Sequence, residues 1–220
     1  MFIAYVHDQL LPTNDTAVEQ LINTIAGFVQ GGATGTLFLP RAFNAPAPER
    51  QEVMRYYDVE DLFELHYLRS LFPSHRGPEK AAHALRMAAH RPLRHFDVVY
   101  TRNIPFLFAG VAAGLPMVYE TYRPWPTQYP ALAPLFRRAM AADNFVGAVF
   151  HSEYCRERYI ELGVAPEKLR AIHNGYDQRR FEPRLDVAAA RQRLGMDSDR
   201  LTVGYTGRVL PNKGMDIVLE

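Results

Sequence analysis

The sequence predicts an α/β chain: a doubly wound, mainly parallel Rossmann-like sheet, followed by a short strand and helix fragment of a second domain. Three observations carry this expectation. Short runs rich in Val, Ile, Phe and Tyr recur at 2–7, 35–39, 62–67, 97–101, 117–121, 145–152 and 169–173. Most are followed by a turn and a helical pattern, and several of those patterns carry start and stop residues.

The helix after the first strand is the most fully specified. Val18, Leu21, Ile22, Ile25 and Val29 share one face at the spacing of a buried helix stripe. Thr16 and Glu19 read as a capping box, and Gly31-Gly32 as the left-handed exit. A helix starts at Asn103, with Pro105 in its first turn, and closes at Gly114. Another runs from Ser152 to Leu162, with Gly163 as its stop. Between Tyr176 and Leu201 the pattern loosens, leaving one helical stretch at 187–194. A new strand follows at 201–207, then the start of a helix at 215–220. About twenty residues close no core of their own.

Composition narrows the function classes. The 220 residues are 48% hydrophobic, enough for one full domain. Basic and acidic residues balance at 25 against 24, in both halves of the chain, so nothing is built to attract nucleic acid. The longest uncharged stretch, 103–119, holds two prolines and two glycines and is too short to span a bilayer. Cys155 is the one cysteine, which excludes an internal disulfide and suggests packing in a reducing compartment. With no basic leader after Met1, the chain is expected to be cytoplasmic. The eight histidines show no H-x-H or H-E-x-x-H spacing, so no metal site is expected.

The sharpest motif is 207–214, Gly-Arg-Val-Leu-Pro-Asn-Lys-Gly, between an apolar run and a helix start. Backbone donors and the positive end of a helix face an anion there, and Arg208 and Lys213 would neutralise a leaving diphosphate. Taken alone, the pattern also reads as a solvated surface turn. Its context is the run Val203-Gly204-Tyr205-Thr206-Gly207-Arg208 with Lys213-Gly214. Ser152-Glu153, Gly163-Val164 and Ile172-His173-Asn174-Gly175-Tyr176-Asp177 precede it, with Phe181 and Pro183 after. Further back stand 97–102 and Gly114-Leu115-Pro116 with Val118-Tyr119-Glu120.

From about 97 to 220, in order and spacing, these residues resemble the retaining, family-four glycosyltransferases of GT-B fold. The resemblance implies an amino-terminal acceptor-binding domain over 1–183, a connector over 184–200 and an incomplete donor-binding domain over 201–220. It implies transfer of a sugar from a nucleoside-diphosphate sugar to a carbohydrate or lipid-linked acceptor, with retention and without metal or other cofactor. Arg208 and Lys213 become the catalytic pair on the diphosphate. Asn14, Thr16, Glu120, Tyr122, Asn174 and Gly175 become candidate substrate-binding residues. The second-domain stretch in which the family carries its Glu-x7-Glu motif is not among these residues, which leaves open a non-catalytic binding module; a continuation beyond Glu220 carrying it would favour the enzyme. A dinucleotide oxidoreductase shares the architecture, but no G-x-G-x-x-G follows the first strand.

The chain also departs from the family. The first strand-to-helix loop reads Pro12-Thr13-Asn14-Asp15-Thr16 where relatives often carry Gly-Gly, so binding there would use side-chain hydroxyls and amides. The usual Glu-x-His is Glu120-Thr121-Tyr122, and these residues read equally as strand-end hydrogen bonding. Trp125, between two prolines, is either a sugar platform or a loop anchor. Asn174-Gly175 reads also as a tight turn, with Gly175 at positive φ and Asp177 capping it. Arg86, His90, Arg91, Arg94 and His95 form a local basic cluster, read either as a solvated helix end or as a peripheral membrane contact. The apolar strand at 201–207 is expected to pair with a sheet edge or dock on an apolar groove, either of a second copy in a symmetric homodimer or of its own domain by folding back.

Overall fold

The computed structural model describes residues 1–70, 77–176, 178–197, 200–207, 214 and 217. The chain divides into two compact units, Met1–Asn174 and Gly175–Glu220.

The first unit alternates strand and helix: β1 (Phe2–Val6), α1 (Thr16–Gln30), β2 (Thr34–Arg41), α2 (Arg50–Tyr57), β3 (Glu64–Arg69) and α3 (Gly77–Ala88). Then follow β4 (Val98–Thr101), α4 (Ile104–Ala112), β5 (Met117–Thr121), α5 (Trp125–Gln128), α6 (Ala133–Met140), β6 (Phe145–Phe150), α7 (Glu153–Glu161) and β7 (Leu169–Ala171). All seven strands join one sheet in the order β3-β2-β1-β4-β5-β6-β7, every pair parallel. The order reverses direction between β1 and β4, the switch point at which doubly wound sheets open a crevice.

The period-two alternation of the strands sorts the core onto two faces. Ile3 and Tyr5 of β1, Leu37 and Leu39 of β2 and Tyr100 of β4 pack with Val18, Leu21, Ile22 and Ile25 of α1 and Val53 and Met54 of α2. The intervening Ala4, Val6, Phe38 and Val99 face α3, α4, α6 and α7 through Met87, Phe106, Phe136 and Tyr159. Leu21, Ile22 and Ile25 are fully buried, worth about 1.5–3 kcal/mol each relative to exposure. Cys155 is buried in this core, which holds its thiol up at about 11, as packing requires.

Asn103 and Ser152 cap α4 and α7, accepting from the backbone N–H of Phe106 and Cys155. Gly114 and Gly163 leave those helices at φ 76° and 95°. Gly147 matters for a different reason: a Cβ there would lie 2.6 Å from the Lys168 carbonyl oxygen.

The start of α1 differs from expectation. Asp15, not Thr16, is the cap, its carboxylate accepting from Ala17 N at 3.0 Å, and Thr16 is the first helical residue. Asp in an extended conformation reaches the first free N–H groups as well as Thr does, which displaced the cap by one position.

The second unit contains a 3-10 turn (Gln178–Phe181) and α8 (Val187–Leu194), capped by Asp186 and closed by Gly195 at φ 65°. The strand expected at 201–207 does not form. Residues 201–206 are irregular, and Leu201 and Val203 are 93% and 81% exposed. A strand is held by a neighbouring ladder, and none is supplied to this segment among the described residues. The helix start at 215–220 falls almost wholly outside them.

Candidate functional site

Because the strands are parallel, their carboxyl ends lie along one edge of the sheet. The residues just past those ends meet there: His7 and Asp8 after β1, Arg102 and Asn103 after β4, Tyr122 after β5 and His151 after β6. Glu120 lies one residue before the end of β5.

Glu120 is the hub of the larger cluster, at 4% exposure. Its carboxylate accepts from Arg102, from His151 Nε2 at 2.7 Å and from the Tyr5 hydroxyl at 3.2 Å. Burial alone would raise its pKa. The hydrogen bonds and charges of His151 and Arg102 outweigh burial and bring it down to about 2. Arg102 is held in turn by the Ala17 carbonyl and Gln20 Oε1 of α1, at 3.1 and 3.2 Å. The Gln20 amide donates to Asn174. One polar chain thus runs from α1 through β4, β5 and β6.

The second cluster surrounds Asp8. Asn103 Nδ2 donates to its carboxylate at 2.7 Å, and Lys80 of α3 stands 3.1 Å away. Burial pushes the Asp8 carboxyl up, but His7, Lys80 and Asn103 leave it lowered on balance. Burial dominates at His7 and lowers it to about 4, so the ring is neutral at physiological pH. His83 Nε2 donates to the His7 carbonyl at 3.1 Å, leaving His83 Nδ1 and His7 Nε2 buried without partners among the described residues.

Of the residues expected from sequence, Glu120 lies at the centre of the first cluster. Tyr122 is 55% exposed and stacks on His151, ring centroids 6.1 Å apart. Asn174 joins the same chain through Gln20. Asn14 is exposed in the loop between β1 and α1, which Tyr57 ties down through both backbone groups of Thr13, and Thr16 is exposed at the first position of α1. Gly175 does not adopt the positive φ expected of a tight turn, so a backbone any residue can take suffices there. Trp125 packs partly buried against the core, stacked on Tyr129, with the Arg123 guanidinium 5.3 Å from its ring. In the basic cluster, Arg86 donates to the Arg69 carbonyl and His90 lies beside Phe38 and His66. Arg208, Lys213 and Asp177 lie outside the described residues.

Sequence reasoning missed Arg102, His151, Asp8 and Lys80. Asp8 and Arg102 each stand one residue past an expected strand and His151 lies at the end of one, so reading polar residues at the carboxyl end of every strand would have found these three. Lys80 lies on a helix and carries no such signal.

An all-parallel sheet of this order, with its polar residues gathered at the switch point, defines a Rossmann-like domain of the GT-B kind. Known structures of that shape superpose on it: Anabaena HepE in complex with UDP, at TM-score 0.56, 16% identity and 89% of this chain over 50% of that one. UDP-GlcNAc 2-epimerase from Methanocaldococcus jannaschii superposes at TM-score 0.52 and 11% identity, over 79% of this chain and 46% of that one. Residues 20–180 match Glycosyltransferase Family 4, and the chain belongs to that family. It is 30% identical over 150 residues to a D-inositol 3-phosphate glycosyltransferase of Streptomyces scabiei, covering 60% of this chain and 33% of the relative. It is 27% identical over 154 residues to the Nocardioides protein of the same name, covering 64% and 33%. The chain therefore spans about a third of the length of the curated relatives it matches. Among the described residues, no helix is long and apolar enough to cross a membrane.

Proposed function

We propose that this chain supplies the acceptor side of a retaining glycosyltransferase, which moves a sugar from a nucleoside diphosphate onto a carbohydrate or lipid-linked acceptor. The observation that carries the proposal is the Glu120 cluster at the switch-point edge: a charged carboxylate fixed by Arg102, His151 and Tyr5 where such sheets hold ligands. Membership of the family supports glycosyl transfer as the reaction class. The names of the relatives support a hydroxyl-rich ring as the acceptor. The ligands of HepE, UDP and glucose, support a nucleotide-sugar donor.

In this reading Arg208 and Lys213 hold the donor diphosphate and stabilise the charge it gains on leaving, with no metal or other cofactor. Asn14, Thr16, Glu120, Tyr122, Asn174 and Gly175 keep the substrate-binding roles that the resemblance implies. The protein works in the cytoplasm, with peripheral membrane contact through the basic cluster around His90 and self-association through 201–207.

The test is an assay with nucleoside-diphosphate sugars in a chain that transfers. Arg208→Ala and Lys213→Ala should each slow transfer by about 2–4 kcal/mol of barrier, the cost of losing one charge-stabilising donor. An unchanged rate removes that residue from the site. The second reading is a module that binds acceptor without reacting it. Acceptor binding by the 220-residue chain with no transfer, and no continuation of the reading frame beyond Glu220, would select the module.

A further inference from the structure

We infer that His151 is the residue that reads an acceptor hydroxyl, through its Nδ1, in a subsite walled by Tyr122. The inference rests on the glycosyl-transfer proposal for the identity of the ligand as an acceptor, but not for the geometry. Glu120 is a carboxylate and only accepts, so the 2.7 Å contact fixes the proton on His151 Nε2. The carboxylate is itself locked by Arg102 and the Tyr5 hydroxyl, and the Tyr122 ring stands beside the imidazole, offset, with centroids 6.1 Å apart and an interplanar angle of 28°. The ring therefore has one tautomer and one orientation. Its second nitrogen, Nδ1, lies on the edge directed away from Glu120.

That nitrogen has no hydrogen-bond partner among the described residues. It is also absent from the polar atoms sealed from solvent, although the whole side chain is only 10% exposed. A ring held by a carboxylate on one side, flanked by an aromatic ring, and open at a single nitrogen is shaped to meet one small polar group. A hydroxyl suits it, because it donates to the bare Nδ1 of a neutral ring and accepts from the Nδ1–H of a charged one. The chemistry of the ligand is a neutral polyol or sugar ring, its apolar C–H face against Tyr122 and one hydroxyl on His151.

Glutamine separates this role from a structural one. The side-chain amide of Gln reaches where Nε2 stands, so His151→Gln keeps a donor for Glu120 and removes the Nδ1 function. Histidine-labelled 220-residue chain is titrated with myo-inositol, following the ring nitrogens by long-range proton–nitrogen correlation. The expected result is an Nε2-protonated ring whose Nδ1 resonance shifts saturably. His151→Gln should weaken binding at least about tenfold with little change in urea midpoint, and Tyr122→Ala should weaken it as well.

Three results would overturn the inference: an Nδ1 resonance unmoved up to about 0.1 M probe, a His151→Gln variant that binds as well as the parent, or a shift given only by inorganic phosphate. The last would make the subsite an anion site. No donor is present in this titration, so it succeeds or fails independently of transfer. Transfer that depends on Lys213 alongside an unmoved Nδ1 leaves the function standing and removes His151; a shifted Nδ1 without transfer does the reverse.

Discussion

Arg102 and Glu120 form a buried ion pair across the boundary of β4 and β5, their side chains 12% and 5% exposed. Such a pair offsets a large desolvation cost, and its removal by halves is the expensive case. Glu120→Gln should leave the guanidinium buried opposite a neutral amide and destabilise the fold by about 3–5 kcal/mol; Arg102→Met should do the same from the other side. The double variant should cost clearly less than the sum, because the second change removes a charge already orphaned. Strict additivity in urea unfolding would show the pair to be uncoupled.

Acid should unfold the protein in two windows. Glu120 falls from its ordinary 4.5 to about 2 in the folded state, so its contribution is complete above pH 4.5 and is lost as pH drops toward 2. A shift of that size corresponds to about 3 kcal/mol. His7 falls from 6.5 to about 4 because burial disfavours the imidazolium. Between those values the unfolded chain binds the extra proton, so stability again declines as pH falls, and is unaffected above 6.5. Glu120→Gln should flatten the lower window. His7→Gln should flatten part of the upper one, with the remainder from His83, His66 and His90, all lowered by burial. An unchanged stability profile between pH 6.5 and 4 in the His7 variant would mean that its ring is solvated.

Gly147→Ala tests the close approach of β6 to the turn before β7. The added methyl would meet the Lys168 carbonyl at 2.6 Å, and that neighbour is backbone, which yields only if the strand moves. A loss of about 1–3 kcal/mol is expected in the unfolding midpoint, as for overpacking a dense interior. Gly27→Ala, where a Cβ meets nothing within 4 Å, is the control.

Much of the fold was legible because parallel strands buried on both faces are apolar runs, and the helices between them carry caps. The run 117–121 matched β5 at both ends, and Asn103 and Ser152 capped the helices expected of them. The site was legible only at Glu120 and its neighbours. Arg102 and His151 lie 18 and 31 residues from Glu120, a separation no local spacing encodes. The order β4-β5-β6 brings them together, so their roles belong to the topology. The segment 201–207 failed in the opposite way: its alternation is a strand pattern, but a ladder needs a partner, and sequence pattern does not report whether one is present.

That segment supports the last prediction. Leu201 and Val203 are almost fully exposed, and irregular backbone around them carries polar groups that a neighbouring strand could pair. Exposed apolar residues that join no strand ladder among the described residues favour edge-to-edge association, which a second copy of the same segment satisfies symmetrically. Sedimentation of the 220-residue chain should therefore show concentration-dependent dimer, and a version ending at Pro183 should remain monomeric with the unfolding midpoint of Met1–Asn174 unchanged. Replacing Leu201 and Val203 by Lys should have the same effect as the truncation, since like charges brought together across a two-fold axis repel. Monomers of both versions at equal concentration would remove the dimer and leave 201–207 without a self-association role.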